Sequence, residues 1–212
     1  MNIADGLAAL GQEATPQLLA QLESFLDLIE RWNRSYNLTA VRQRPDMVTR
    51  HLLDSLAVAP ALRGSTVLDV GSGAGLPGVP LAIARPALGF VLLDANSKRV
   101  RFLREVRRAL ELSNVQVAQA RVESYQSARP FDTVIARGFS SLGDFVDNAG
   151  RLCAAEGRLL AMKGPSYAAE VAALPAGYRL EQVLSLRVPG LDAERNLLIV
   201  AHASGQPAPV TQ

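Results

Sequence analysis

Apolar positions in the first third of the chain recur at helical steps. Leu18, Leu22, Phe25, Ile29, Trp32 and Tyr36 are spaced alternately by four and three residues, which places them on one face of a long helix. Thr15 followed by Pro16 supplies its N-cap and first turn. A second helix is expected over residues 45–59, with Met47, Leu52, Leu56 and Ala59 inward. From Ser65 the texture changes to short β-rich runs separated by helical stretches. Strands are expected at residues 66–70, 90–94, 115–119, 133–136 and 158–162, with helices near 77–85, 97–112 and 142–153. Such alternation builds a parallel sheet with helices on both faces. The last two strands, 178–188 and 195–203, are joined by so short a link that an antiparallel pair is expected. The sum is an α/β fold: a seven-stranded, mostly parallel sheet ending in a C-terminal antiparallel hairpin, behind an N-terminal helical extension. Residues 1–63 form that extension, 64–203 the core, and 204–212 a disordered tail rich in Pro, Ala and Gly.

Composition narrows the classes. A chain of 212 residues suits one compact unit with an ample core, and a hydrophobic fraction of 49% excludes a disordered chain. The single Cys153 excludes an intrachain disulfide framework, and only two histidines accompany it, so no metal site is expected. No apolar run is long enough to span a membrane, and the first basic residue is Arg31, unlike a signal peptide. A cytoplasmic protein without a membrane partner follows as the expectation, and the lack of a heptad extension makes monomer the default. Net charge is +2, from 22 basic and 20 acidic residues. That total hides segregation: residues 1–30 carry five acids and no base, whereas residues 98–108 carry six bases against Glu105 alone. A strongly positive face suited to a polyanion is therefore expected.

Candidate chemistry starts at Asp69-Val-Gly-Ser-Gly-Ala-Gly-Leu-Pro-Gly78. Gly71, Gly73 and Gly75 follow a buried strand, where glycine permits positive φ and close approach of a ligand to the backbone. In an open α/β sheet this crevice is where ligands sit. One strand further on, Asp94 ends an apolar run and can accept hydrogen bonds from a ribose diol. The pairing is shared by NAD-binding and nucleoside-binding folds. Asp69 tilts the choice towards S-adenosylmethionine, because an acid attracts an ammonium but repels a pyrophosphate.

The sequence resembles the bacterial 16S rRNA guanine-N7 methyltransferases, the RsmG/GidB family, from about Leu18 to Ala201. The resemblance is carried by Trp32-Asn-Arg-Ser-Tyr-Asn-Leu-Thr39, Arg50-His-Leu-Leu-Asp-Ser-Leu56, the Asp69–Leu81 turn, Lys98-Arg-Val-Arg-Phe-Leu103, Lys163-Gly164 and Val188-Pro-Gly-Leu-Asp-Ala-Glu-Arg195. It implies a class I methyltransferase-like (Rossmann-like) core that uses S-adenosylmethionine on 16S rRNA or the small ribosomal subunit. It also implies that Gly71 and Leu76 line the cofactor site, that Val122 and Glu123 lie near the adenine, and that Arg137 contacts ligand. Two positions depart from the family pattern: Ala136-Arg-Gly-Phe139 stands where Ser-Arg-Ala-Phe is usual, and Asn196 where the family has His.

The residue inventory suits N7. That atom offers a lone pair and no proton need be removed, so positioning dominates and no general base is required. Cytosine C5 transfer needs a nucleophilic cysteine, and Cys153 is expected at a helix end remote from the strand tips. Adenine N6 transfer usually shows an Asp/Asn-Pro-Pro-aromatic run after the fourth strand, which is absent. Arg101, Arg104 and Arg108 share one helix face, read either as a phosphate contact or as a solvated surface. Lys163 and Arg195 are the candidates for guanine or RNA contact, while Arg137 is the candidate positioning residue. Trp32 and Tyr36 read as core, Asn33 and Asn37 as helix caps, and His51 as a phosphate contact or a structural histidine. A same-fold methyltransferase acting on a small molecule or protein, an NAD-dependent oxidoreductase and a non-catalytic RNA-binding module are the alternatives.

Overall fold

Residues 1–203 are described by the structure, a computed structural model of the chain; the tail expected at 204–212 lies outside them. The Asn2 side chain accepts the Asp5 N–H and starts α1 (Ile3–Ala9), a helix that the apolar spacing did not reveal. Thr15 caps α2 (Pro16–Tyr36) as expected, its Oγ1 accepting the Leu18 N–H at 3.2 Å. Asn37 closes the helix in the left-handed region at φ 48°. Asn33 does not cap. It is buried, and its amide exchanges two 3.0 Å bonds with the Thr39 backbone, folding the loop beyond the helix. Trp32 meets Tyr36 at a ring distance of 5.0 Å and Phe102 edge-on at 5.6 Å, so both aromatics pack rather than await a base.

The expected second α-helix is broken into α3 (Arg44–Met47), a π-helical stretch Val48–Leu53 and α4 (Asp54–Leu56). Met47, Leu52, Leu56 and Ala59 are all buried as expected. The step of five from Met47 to Leu52 is the reason for the break. A regular α-turn would carry Leu52 past the core, and one wide turn restores the phase.

The core follows as β1 (Thr66–Val70), α5 (Gly78–Ala84), β2 (Gly89–Asp94), α6 (Ser97–Ala109), β3 (Val115–Gln119), β4 (Phe131–Arg137), α7 (Leu142–Ala149), β5 (Cys153–Lys163), α8 (Ala168–Ala172), β6 (Tyr178–Ser185) and β7 (Asn196–His202). Strand order is β3-β2-β1-β4-β5-β7-β6, parallel throughout except that β7 runs antiparallel to both neighbours. The terminal hairpin is present, and its second strand enters the sheet between β5 and β6. The helical stretch expected to Cys153 is α7 to Ala149 followed by a 3-10 turn, Gly150–Leu152, and Cys153 closes that turn and opens β5. It therefore sits at the amino edge of the sheet, buried, with its thiol pushed up to about 12 chiefly by desolvation.

Alternate strand residues feed two cores. Val67, Leu92, Ile135, Leu160 and Ile199 join one core with Leu22, Phe25, Ile29, Leu81 and Phe102 from the helices. Leu68, Leu93, Val134, Leu159 and Leu198 join the other with Phe145 and Val146 of α7. The N-terminal helices thus share a core with one face of the sheet. Among the described residues no helix is long and apolar enough to cross a membrane.

Candidate functional site

Register brings the site together. Leu93, Val70 and Ala136 are neighbours across β2, β1 and β4, Ala136 pairs with Ala161 of β5, and Ala161 pairs with Leu198 of β7. The residues just beyond, Asp94, Gly71, Arg137 and Lys163, therefore emerge along one edge. The antiparallel β7 begins at that same edge with Asn196, opposite Lys163. The crevice lies where the order reverses around β1, the expected place for a ligand in this architecture.

At its floor, Gly71 and Ser72 donate to the Leu93 carbonyl at 2.8 and 3.0 Å. Gly71 and Gly73 adopt φ of 69° and 57°, which only glycine accepts without strain. A Cβ on Gly71 would meet nothing within 4 Å, so this backbone borders open space. Gly75 and Gly78 serve a different end. A Cβ on Gly78 would lie 2.3 Å from Leu92 and 2.5 Å from Asp69, so glycine there permits the helix to seat on the sheet.

Asp69 is wholly buried. Its Oδ2 accepts the Gly78 N–H at 2.9 Å, while Oδ1 has no partner among the described residues. Burial pushes its carboxyl up to about 7, against the opposing pull of the Gly78 bond. With its side chain buried, the acid braces the turn through the Gly78 N–H, and its charge can bear on the crevice through its field. Asp94 is also buried, and it ties the turn to the next helix: Oδ2 accepts from Gly73 N–H at 2.9 Å and Oδ1 from Asn96 N–H at 2.8 Å. Arg99 Nη1 also reaches Oδ2 at 3.5 Å, and since a carboxylate has about four acceptor positions, one is left for a hydroxyl of a diol.

Leu76 is buried within the core, at 4% exposure. Val122 is buried and Glu123 exposed in the short 3-10 turn after β3, which Arg151 pins by donating to the carbonyls of Val122, Glu123 and Tyr125.

Arg137 leaves the tip of β4 and donates from Nη1 to the Arg50 carbonyl at 3.0 Å and to Asp54 Oδ2 at 3.2 Å. The other Asp54 oxygen accepts from Arg195 Nε at 3.1 Å. Asp54, 4% exposed at its side chain, is thus shared by two guanidiniums from distant parts of the chain. In the sequence Asp54 stands within the Arg50–Leu56 run, which carries no sign of these two partners. Asn196 donates to the Gly164 carbonyl and to Glu194 Oε1, fixing both flanks of the Arg195 loop.

Lys163 stands at the tip of β5 but is engaged, donating to Glu170 at 2.8 Å and to the Phe139 carbonyl at 3.3 Å. His51 resolves to the structural reading: it is buried, Nε2 lies 2.9 Å from Thr39 Oγ1, and its pKa is lowered to about 4 mainly by desolvation. Arg101, Arg104 and Arg108 are exposed on α6, away from the buried Val100, Leu103 and Val106. Glu105 holds Arg108 at 2.9 Å. A cavity of about 540 Å³ lined by Gln12, Gln21, Arg85 and Asn114 opens near the amino ends of β2 and β3, away from this edge.

Comparison with known proteins gives a consistent result. A family model described as GidB, rRNA small subunit methyltransferase G, matches residues 18–199. The ribosomal RNA small subunit methyltransferase G of Enterobacter sp. (strain 638) is 47% identical over 194 residues, 92% of this chain and 94% of that protein. The protein of the same name from Nitrosospira multiformis is 48% identical over 209 residues, 95% of this chain and 97% of its own. A solved SAM-dependent methyltransferase from Aquifex aeolicus superposes with a TM-score of 0.57 at 21% identity, covering 74% of this chain and 93% of that one, which shows the shared fold.

Proposed function

The chain belongs to the GidB family of small-subunit rRNA methyltransferases, and from that premise we propose that it transfers a methyl group from S-adenosylmethionine to N7 of a guanine in 16S rRNA. The observation that carries the reading is the Gly71–Gly75 turn, open at the Cβ position of Gly71 and braced by Asp94, at the tip of β1 beside Arg137. The residues present fit the cofactor. Gly71 and Gly73 offer bare backbone, Asp94 keeps one acceptor position for a ribose hydroxyl beside its bonds to Gly73, Asn96 and Arg99, and Val122 with Glu123 would border the adenine end. S-adenosylmethionine would supply a methyl group on a cationic sulfonium, whose carbon a nucleophile attacks in line while the C–S bond pair stays with the sulfur of the departing S-adenosylhomocysteine.

What the chain contributes is placement. Guanine N7 attacks with a lone pair and gives up no proton, so the protein must align the base and exclude water. The tips of the strands agree with this need. Lys163 is paired, His51 is bonded to Thr39, and Asp69 is covered, so none of them stands as an open base. The exposed Arg101 and Arg104 on α6 provide positive surface for RNA phosphates, and Arg108 shares its charge with Glu105. Met1 is the one large apolar side chain exposed among the described residues, which supports a monomer. A ribosomal substrate is met in the cytoplasm.

The experiment is incubation with labelled S-adenosylmethionine and small-subunit RNA or subunits from cells lacking the activity, followed by nucleoside analysis. Label in 7-methylguanosine is the expected result. Label on another atom, or on protein alone, contradicts the proposal. Titration of NAD against S-adenosylmethionine in a calorimeter separates the oxidoreductase alternative.

A further inference from the structure

Resting on the methyltransferase reading, we propose that Asp54 is a positioning residue for the target nucleotide, acting by holding Arg195 beside Arg137 at the mouth of the cofactor crevice. Each Asp54 oxygen takes one guanidinium: Oδ2 receives Arg137 Nη1 at 3.2 Å and Oδ1 receives Arg195 Nε at 3.1 Å. A carboxylate nearly without solvent contact, at 4% exposure, fixes both cations more firmly than a surface pair could. Two positive charges against one negative leave the cluster net positive.

Donor arithmetic points to an incoming acceptor. Arg195 spends Nε on Asp54 and one Nη1 hydrogen on the Glu194 carbonyl, and Nη2 has no partner among the described residues. Arg137 spends Nη1 on Asp54 and the Arg50 carbonyl, which leaves Nη2 and Nε in the same condition. Both side chains keep partial exposure, 26% for Arg137 and 30% for Arg195, so neither is sealed within the core. A guanidinium with a free edge suits the oxygens of a nucleotide, whether O6 of the guanine or a phosphate.

Three elements converge to make the device. The π-helical stretch Val48–Leu53 sets the Arg50 carbonyl and Asp54 against the strand tips. The β4 tip supplies Arg137. The loop into β7 supplies Arg195, held by Asn196 through Gly164 and Glu194. Asp54 thereby joins the N-terminal helices to both arginines; Arg137 keeps the Arg50 carbonyl as a second anchor, whereas Arg195 has Asp54 as its one acidic partner among the described residues.

The test compares Asp54→Asn, Arg195→Gln and the double variant with wild type. Each is measured for S-adenosylmethionine affinity by calorimetry, for retention of small-subunit RNA by filter binding, and for kcat and KM with that RNA. Both single variants should lower kcat/KM for RNA by about ten- to a hundredfold, the range for removing a buried charge-assisted hydrogen bond. Cofactor affinity should stay within about threefold. The double variant should be no worse than the worse single, because Asp54 acts through Arg195. Additive losses, unchanged RNA parameters in Arg195→Gln, or cofactor affinity falling in step with activity would each overturn the proposal. Arg195→Gln removes a partly exposed side chain and keeps the test open should Asp54→Asn fold poorly. Wild-type methyl incorporation tests the proposed function itself, while RNA retention tests Asp54 and Arg195 whether or not methyl is transferred.

Discussion

Replacing Asp69 with Asn should stabilise the protein at neutral and alkaline pH and leave it unchanged in acid. The side chain is fully buried, with Oδ2 on the Gly78 N–H and Oδ1 unpartnered. Asn can keep the Gly78 bond through its oxygen and place its NH2 where Oδ1 lies now. Burial raises the Asp69 pKa from the ordinary 3.8 to about 7. Between those values the native state retains a proton that the unfolded chain releases, so stability falls as pH rises through the window. One pKa unit corresponds to about 1.4 kcal/mol, so the full penalty on the charged form is about 4 kcal/mol. Asn has no proton to lose and escapes it. Urea unfolding of both proteins at pH 4 and pH 8.5 reads the difference. The gap between variant and wild type should widen by a few kcal/mol, about 4 at most, in favour of Asn at the higher pH. Parallel stability curves across that range would refute the reasoning. A second reading follows from the same charge: a bound cation favours ionised Asp69, so S-adenosylmethionine affinity should rise with pH through about 7 in wild type and be flat in the variant.

Gly78→Ala should destabilise by about 1–3 kcal/mol, because its Cβ has nowhere to go between Leu92 and Asp69, and the urea midpoint reports it. Gly73→Ala acts differently: its Cβ meets only the Gly71 carbonyl at 3.8 Å, but φ of 57° strains any β-carbon by about 1–2 kcal/mol. Weaker cofactor binding by roughly tenfold in calorimetry is the expected outcome, for the turn must relax away from its ligand-ready shape. Arg137→Ala should reduce turnover far more than it reduces the melting temperature, since Asp54 keeps Arg195 as a partner; full methylation by a folded variant contradicts the assigned role. Reversing Arg101 and Arg104 to Glu should weaken RNA retention and flatten its dependence on salt, by roughly 0.9 in the log–log slope for each phosphate no longer neutralised. Arg108→Glu should matter less, because Glu105 already neutralises that side chain.

Local pattern made much of this protein legible in the chain itself. Five parallel strands, the capped helix after Thr15, the closing antiparallel pair and the glycine turn each rest on neighbouring residues, whose periodicity and backbone preference do not depend on the rest of the fold. Helix α1 escaped because its few apolar residues make too short a stripe, and the π-helical stretch escaped because the helix expected over 45–59 did not separate the step of five from Met47 to Leu52 from the steps of four and three beyond it. The edge-on contact of Phe102 with Trp32 joins α6 to α2, a meeting that spacing along either helix alone does not give.

What tertiary structure alone decided is the meeting of groups far apart in sequence. Asp54, Arg137 and Arg195 come from a helix, a strand tip and a loop, and the packing of that helix against the strand tips brings both guanidiniums to the one carboxylate. Lys163 looked free until Glu170 was folded back upon it, and Asp69 looked ligand-facing until Gly78 covered it. The chain carries propensity and pattern, which act over a few residues. Charge pairing and burial act through space, so they were settled when the sheet closed.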